Sequence, residues 1–87
     1  MFDARVVKQI MTQHGVTFWA VFNDKRKRVG RRIKVVTRTS SDMNAKNQTA
    51  IENSLAAAFG ERYQNAYQMT CTGGYGRYNA FCVILNS

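Results

Sequence analysis

The chain has no proline, one histidine, two cysteines and five acidic residues among 87 positions, and each scarcity narrows what it can be. Without proline, a chain of regular elements joined by tight glycine turns is expected, not one with a stiff linker. Five acids spread along the sequence leave no carboxylate cluster to hold magnesium for a nuclease. A lone His14, with serines but no identifiable third member, does not make a catalytic triad. No enzyme activity, cofactor or metal site is therefore expected. Cys71 and Cys82 stand eleven residues apart, which matches neither a CxxC redox pair nor a four-ligand zinc site, so two free, buried thiols are the expectation. Long apolar runs are also missing; the longest falls far short of the roughly 20 residues a membrane helix needs. The N-terminus lacks a basic-then-apolar leader pattern. A soluble cytoplasmic or nucleoid-associated protein follows as the expectation, and the sequon Asn47-Gln48-Thr49 reads as chance.

What the chain has in excess is positive charge, and it has it in one place. Lysine and arginine total 13, for a net charge of +8. Eight of them, Lys25, Arg26, Lys27, Arg28, Arg31, Arg32, Lys34 and Arg38, lie in the fourteen residues from Lys25 to Arg38, which hold no acid. The remaining five bases, Arg5, Lys8, Lys46, Arg62 and Arg77, are matched by five acids. Charge spread evenly would serve solubility as well, so this concentration points to a polyanionic partner. With 45 % hydrophobic residues and ten aromatics, the chain is too apolar for intrinsic disorder. Its length fits a single domain spanning residues 1–87, near the low end at which a core buries roughly 60 to 65 % of the unfolded surface.

Hydrophobic spacing predicts the elements. Asp3 is placed to cap a helix from Ala4 to about His14, with Val6, Val7, Ile10 and Met11 on its inner face and Gly15 ending it. Val16–Asn23 and Val29–Arg38 read as two strands of a hairpin. An even-length turn within Lys25–Arg28 would put Phe18 opposite Val35 and Ala20 opposite Ile33, with Val16, Phe18, Ala20 and Phe22 facing the core. The same register sets Trp19 opposite Lys34, among Arg32, Val36 and Arg38 on the other face. After the polar break Ser40-Ser41-Asp42, which supplies cap candidates, Ile51, Leu55, Ala58 and Phe59 mark a second helix from about Met43 to Phe59, closed by Gly60. Tyr63–Thr72 and Arg77–Asn86 form a second hairpin around Gly73-Gly74-Tyr75-Gly76. Tyr67, Met69 and Cys71 share one face, joined either by Tyr78, Ala80, Cys82 and Ile84 or by Phe81, Val83 and Leu85. The last strand, apolar on both sides, belongs in the sheet's interior.

The order α-β-β-α-β-β implies an α+β fold: a two-layer sandwich with a four-stranded, mainly antiparallel sheet and both helices on one face. Lys25–Arg28 would reach phosphates as a hairpin arm, while Arg32, Lys34 and Arg38, two or four residues apart on one face, would track a backbone. Trp19, if exposed, could stack on a base. Gly74-Tyr75-Gly76 fits part of the signature K/R-G-F/Y-G/A-F-V-x-F/Y of RNA-recognition domains, but Arg77 and Ala80 stand where aromatics should and the strand order differs, so that assignment is rejected. Tyr75 and Arg77 remain as supplementary contacts on a glycine-rich turn. The leading expectation is a small nucleic-acid-binding protein, DNA or RNA unresolved. Its rival is an interaction or inhibitor protein, of the kind phages and mobile elements encode, whose basic hairpin docks on an acidic protein surface. A third reading is a homodimer or larger homo-oligomer burying the open sheet face.

Overall fold

The computed structural model describes residues 2–26, 30–37, 44–73 and 76–86. Its elements follow the expected order: α1 (Phe2–Gln13), β1 (Phe18–Arg26), β2 (Gly30–Thr37), α2 (Ala45–Phe59), a single 3-10 turn (Gly60–Arg62), β3 (Tyr63–Gly73) and β4 (Gly76–Leu85). All neighbouring strands are antiparallel, in the order β1-β2-β4-β3. The fold is thus α+β, and the two hairpins meet along β2 and β4. Among the described residues no helix is long and apolar enough to cross a membrane.

α1 ends where the sequence says it should. Gly15 adopts φ +75°, which a side chain rarely tolerates, and its amide returns to the Thr12 carbonyl at 3.0 Å. The start of α2 is set by Asn44, whose side chain accepts from the Asn47 amide at 2.9 Å. The helix therefore begins at Ala45, slightly later than expected; the expected caps Ser40, Ser41 and Asp42 lie outside the described residues. Ala58, expected on the inner face, is exposed.

The core joins Val7, Ile10 and Met11 of α1 and Ile51 and Leu55 of α2 to Ile33, Val35, Phe81, Val83 and Leu85 of the sheet. These strand residues alternate along β2 and β4, and the cross-strand pairs Ile33–Val83 and Val35–Phe81 place them on one face. Both helices pack there. Phe81, Val83 and Leu85 therefore form the helix-side row of β4. Tyr67, Met69 and Cys71 instead share the far face with Tyr78, Ala80 and Cys82, through the pairs 67–82, 69–80 and 71–78.

The first hairpin corrects the expected register. Val21, not Phe18, stands opposite Val35; Asn23 opposite Ile33; and Phe22, not Trp19, opposite Lys34. Two causes combine. The strands close at the Arg26–Gly30 pair, with three residues between these positions, so odd positions pair with odd ones. A bulge between Phe18 and Ala20 then inserts Trp19 and reverses the alternation once more. Phe18 and Val21 accordingly pack against the core, whereas Phe22 is 52 % exposed.

Asp3 is the other correction. It serves as the buried anchor of an ion-pair cluster and not as the cap of α1: its carboxylate accepts from both terminal nitrogens of Arg62 at 3.0 and 2.7 Å and from Arg31 at 3.1 Å. The bidentate Arg62 contact holds its pKa below the usual carboxylate value although burial opposes this, and Arg31 adds to the effect. A carboxyl whose folded pKa is depressed stabilises the fold above its unfolded pKa near 4, and that contribution fades as pH falls through the folded value. Arg62 is half exposed, so solvent screens part of the attraction. Asp3→Asn should cost about 1 to 2 kcal/mol at neutral pH by urea denaturation, with the gap from wild type closing below about pH 4.

The corrected register has its own measurable consequence. Phe81 is fully buried and Phe22 half exposed, so Phe81→Ala should cost about 3 to 5 kcal/mol and Phe22→Ala less than about 1 kcal/mol in the same assay. Equal losses would restore Phe22 to the core.

Candidate nucleic-acid interface

Pairing sorts the basic segment onto two sides of the sheet. Arg31 pairs with Leu85, a helix-side residue, and accordingly meets Asp3 of α1. Arg32 and Lys34, one and three positions on, face the other way with Val36. Three cross-strand rows cover this far face: Asp24–Arg32–Ile84–Asn65, Phe22–Lys34–Cys82–Tyr67 and Ala20–Val36–Ala80–Met69. The cations belong to the first hairpin, and the second contributes aromatic, thioether, thiol and amide groups.

Lys34 is the centre of the arrangement. Its Nζ lies 5.8 Å from the Phe22 ring centroid and 5.4 Å from that of Tyr78, and donates to the Tyr78 hydroxyl at 3.2 Å. The ring faces attract the ammonium and fix a side chain that would otherwise sweep freely. Beside it a depression of about 350 Å³ is walled by Ala20, Phe22, Val36 and Tyr78, with Gly73 and Gly76 at its end and Arg77 at its border. Trp19, inserted at the bulge, is 70 % exposed.

The expected site residues are therefore brought together only in part. Arg32 and Lys34 share the far face; Arg31 is drawn to the helix side; Trp19 and Arg77 lie toward the end of the sheet where β2 finishes and β4 begins. Lys25 and Arg26 close β1 at the opposite end, described here by backbone alone. From Arg31 to Thr37 along β2 is roughly 20 Å at strand rise. Lys27, Arg28, Arg38 and Tyr75 lie outside the described residues. Sequence reasoning missed Phe22 and Tyr78 as members of this face; counting Lys27, Arg28 and Val29 as an odd loop was the signal that would have found Phe22.

Two of the acids are engaged on the helix side. Asp3 is held on the helix side, and Glu52 of α2 accepts from Tyr63 at 3.0 Å and from Gln48 at 3.1 Å. Burial, reinforced by that Glu52 bond, pushes the Tyr63 hydroxyl up to about 12. His14 Nε2 lies 2.9 Å from Ser54 Oγ, which ties the end of α1 to α2. Among the described residues no group of three His, Cys, Asp or Glu side chains is placed to hold a metal ion.

Both cysteines are free. They do not face each other, since Cys71 pairs with Tyr78 and Cys82 with Tyr67. Burial raises the Cys82 thiol above its ordinary value, partly offset by the nearby Arg32 charge. Cys82 is fully buried and Cys71 half-buried. A disulfide-exchange reagent at pH 8 should thus titrate one thiol in the native protein, with Cys71→Ser abolishing that phase and the second thiol appearing only on denaturation.

Compared with models of known protein families, with curated proteins and with solved structures, the chain matches none.

Proposed function

We propose that this protein binds nucleic acid across the far face of its sheet, with the basic residues of Lys25–Arg38 on the phosphates. The observation that carries the reading is the concentration of positive charge. The +8 net charge belongs to one segment. Arg32 and Lys34 of that segment stand on the face away from both helices, where the register also sets Asp24 opposite Arg32, while Asp3 and Glu52 are held by partners on the helix side. A cationic face of this kind gains affinity by releasing the counterions condensed on a phosphate backbone. Exposed aromatics next to it favour an anion that also carries flat rings, which an acidic protein surface does not offer in series.

Phosphate contact makes a quantitative demand. If about five phosphates are neutralised, log affinity should fall against log salt with a slope near −4 to −5. Arg32→Ala and Lys34→Ala should each reduce that slope by about 1 and weaken binding to unrelated sequences alike. Fluorescence anisotropy with labelled oligonucleotides between low and moderate salt measures both. A flat salt response removes the reading. Stoichiometric protein partners that survive nuclease treatment in a pull-down would instead favour docking on an acidic protein.

A further inference from the structure

The depression beside Lys34 contributes little to holding the fold. Its largest wall, Phe22, is 52 % exposed, and an aromatic ring is an expensive group to leave against water when the chain places other phenylalanines in or against the core. Its opposite wall, Tyr78, is held in place by the Lys34 ammonium at 3.2 Å from its hydroxyl. The end of the depression is kept open by glycine. A Cβ on Gly73 would come within 3.3 Å of the Tyr78 ring, and Gly76 sits at φ +103°, where other residues are strained. Gly73 and Gly76, read from sequence as parts of a hairpin turn with Tyr75 and Arg77 as supplementary contacts, thus also bound the open end of a depression walled by two rings. Arg77 stands at its border and Lys34 beside it.

We infer that this depression is a stacking site for an unpaired nucleobase, so that the ligand of the far face is single-stranded nucleic acid. The inference rests on the proposed nucleic-acid reading and adds the strand state and the place of base contact. A base inside a duplex has both faces covered by its neighbours, and only an unpaired one can present a face to Phe22 or Tyr78. The Lys34 ammonium, 5.8 and 5.4 Å from the Phe22 and Tyr78 ring centroids and beside the depression, would meet the phosphates of a strand whose base entered it, and the charge continues along β2 through Arg32. A second copy of the chain suits the same surface less well: a symmetric contact would lay this lysine- and arginine-bearing face against its own copy, bringing like charges near one another. Charge complementarity selects the anionic strand.

The test compares three labelled ligands of equal length by anisotropy at one salt concentration: a single-stranded oligothymidine, the same strand with every base removed, and a duplex. Wild type should prefer the oligothymidine. Phe22→Ala, a surface substitution that leaves the core in place, should weaken oligothymidine binding about tenfold, as loss of one stacked base does. It should leave the baseless strand bound as before, and Phe22→Trp should restore the oligothymidine affinity. A duplex preference in the wild type overturns the stacking site, as does a Phe22→Ala loss that is absent or equal on both single strands. In those cases salt-sensitive binding to the baseless strand still supports phosphate contact. Failure of wild type to bind any of the three removes both readings together.

Discussion

Two helices cover one face of a four-stranded sheet, and in a chain of 87 residues the described elements include no third helix or second sheet for the other. That face must close itself. Ala80, Cys82 and Ile84 of β4 are nevertheless 1 %, 0 % and 8 % exposed, although they point away from both helices. Their neighbours on that face carry longer side chains able to cover them: Lys34 and Arg32 from β2, Tyr67 and Met69 from β3, and Tyr78 from β4 itself. Lysine and arginine suit the task because their methylene stems lie over apolar atoms while the charged heads stay in water. The cations in the middle of β2 are thereby structural as well as electrostatic. A phosphate that met them would find a surface already ordered.

Alternation along β2 then decides which face each charge takes. Arg31 and Arg32 are adjacent in sequence and on opposite faces. The first is claimed by Asp3, which also grips Arg62, so one buried carboxylate fastens the start of α1 to β2 and to the turn after α2. The second is not on that side. Glu52 is likewise held by Tyr63 and by Gln48, whose amide oxygen in turn accepts from Gln68 at 2.7 Å. The sequence is balanced outside Lys25–Arg38, and the fold keeps two of its balancing acids on the side where they cannot screen the far face.

How much of this was readable from residues alone depends on the range of the interaction. Val6, Val7, Ile10 and Met11 at helical spacing, Gly15 after them, and the doubly apolar β4 are local patterns, and the architecture follows from them. Register is different, because a single residue more or less in a loop turns every following side chain over. Reading Lys25–Arg28 as an even turn put Phe22 inside; the three residues between Arg26 and Gly30 put it outside. The bulge at Trp19 undoes the change for Phe18 alone, which is why that residue was placed correctly for an incorrect reason. Asp3 shows the same limit. A carboxylate in a first helical turn looks like a cap, while its actual partners lie 28 and 59 positions away.

The far face is also directional, although the α-β-β pattern occurs twice. In the row Phe22–Lys34–Cys82–Tyr67 the first hairpin supplies an aromatic and a cation, and the second an aromatic and a buried thiol. Along β2 the ends differ as well: Arg31 and Arg32 stand toward one end, and the depression bounded by Gly73, Gly76, Phe22 and Tyr78 lies toward the Val36 end, roughly 15 Å away at strand rise. Under the proposed nucleic-acid reading, a mononucleotide would reach only one of these regions. A strand long enough to span them gains the second contact at the high effective concentration set by the first, so affinity should rise steeply with length until both are occupied and then level off. On that reading, spreading the contacts along β2 would make ligand length itself a selected property, without any base-specific hydrogen bond.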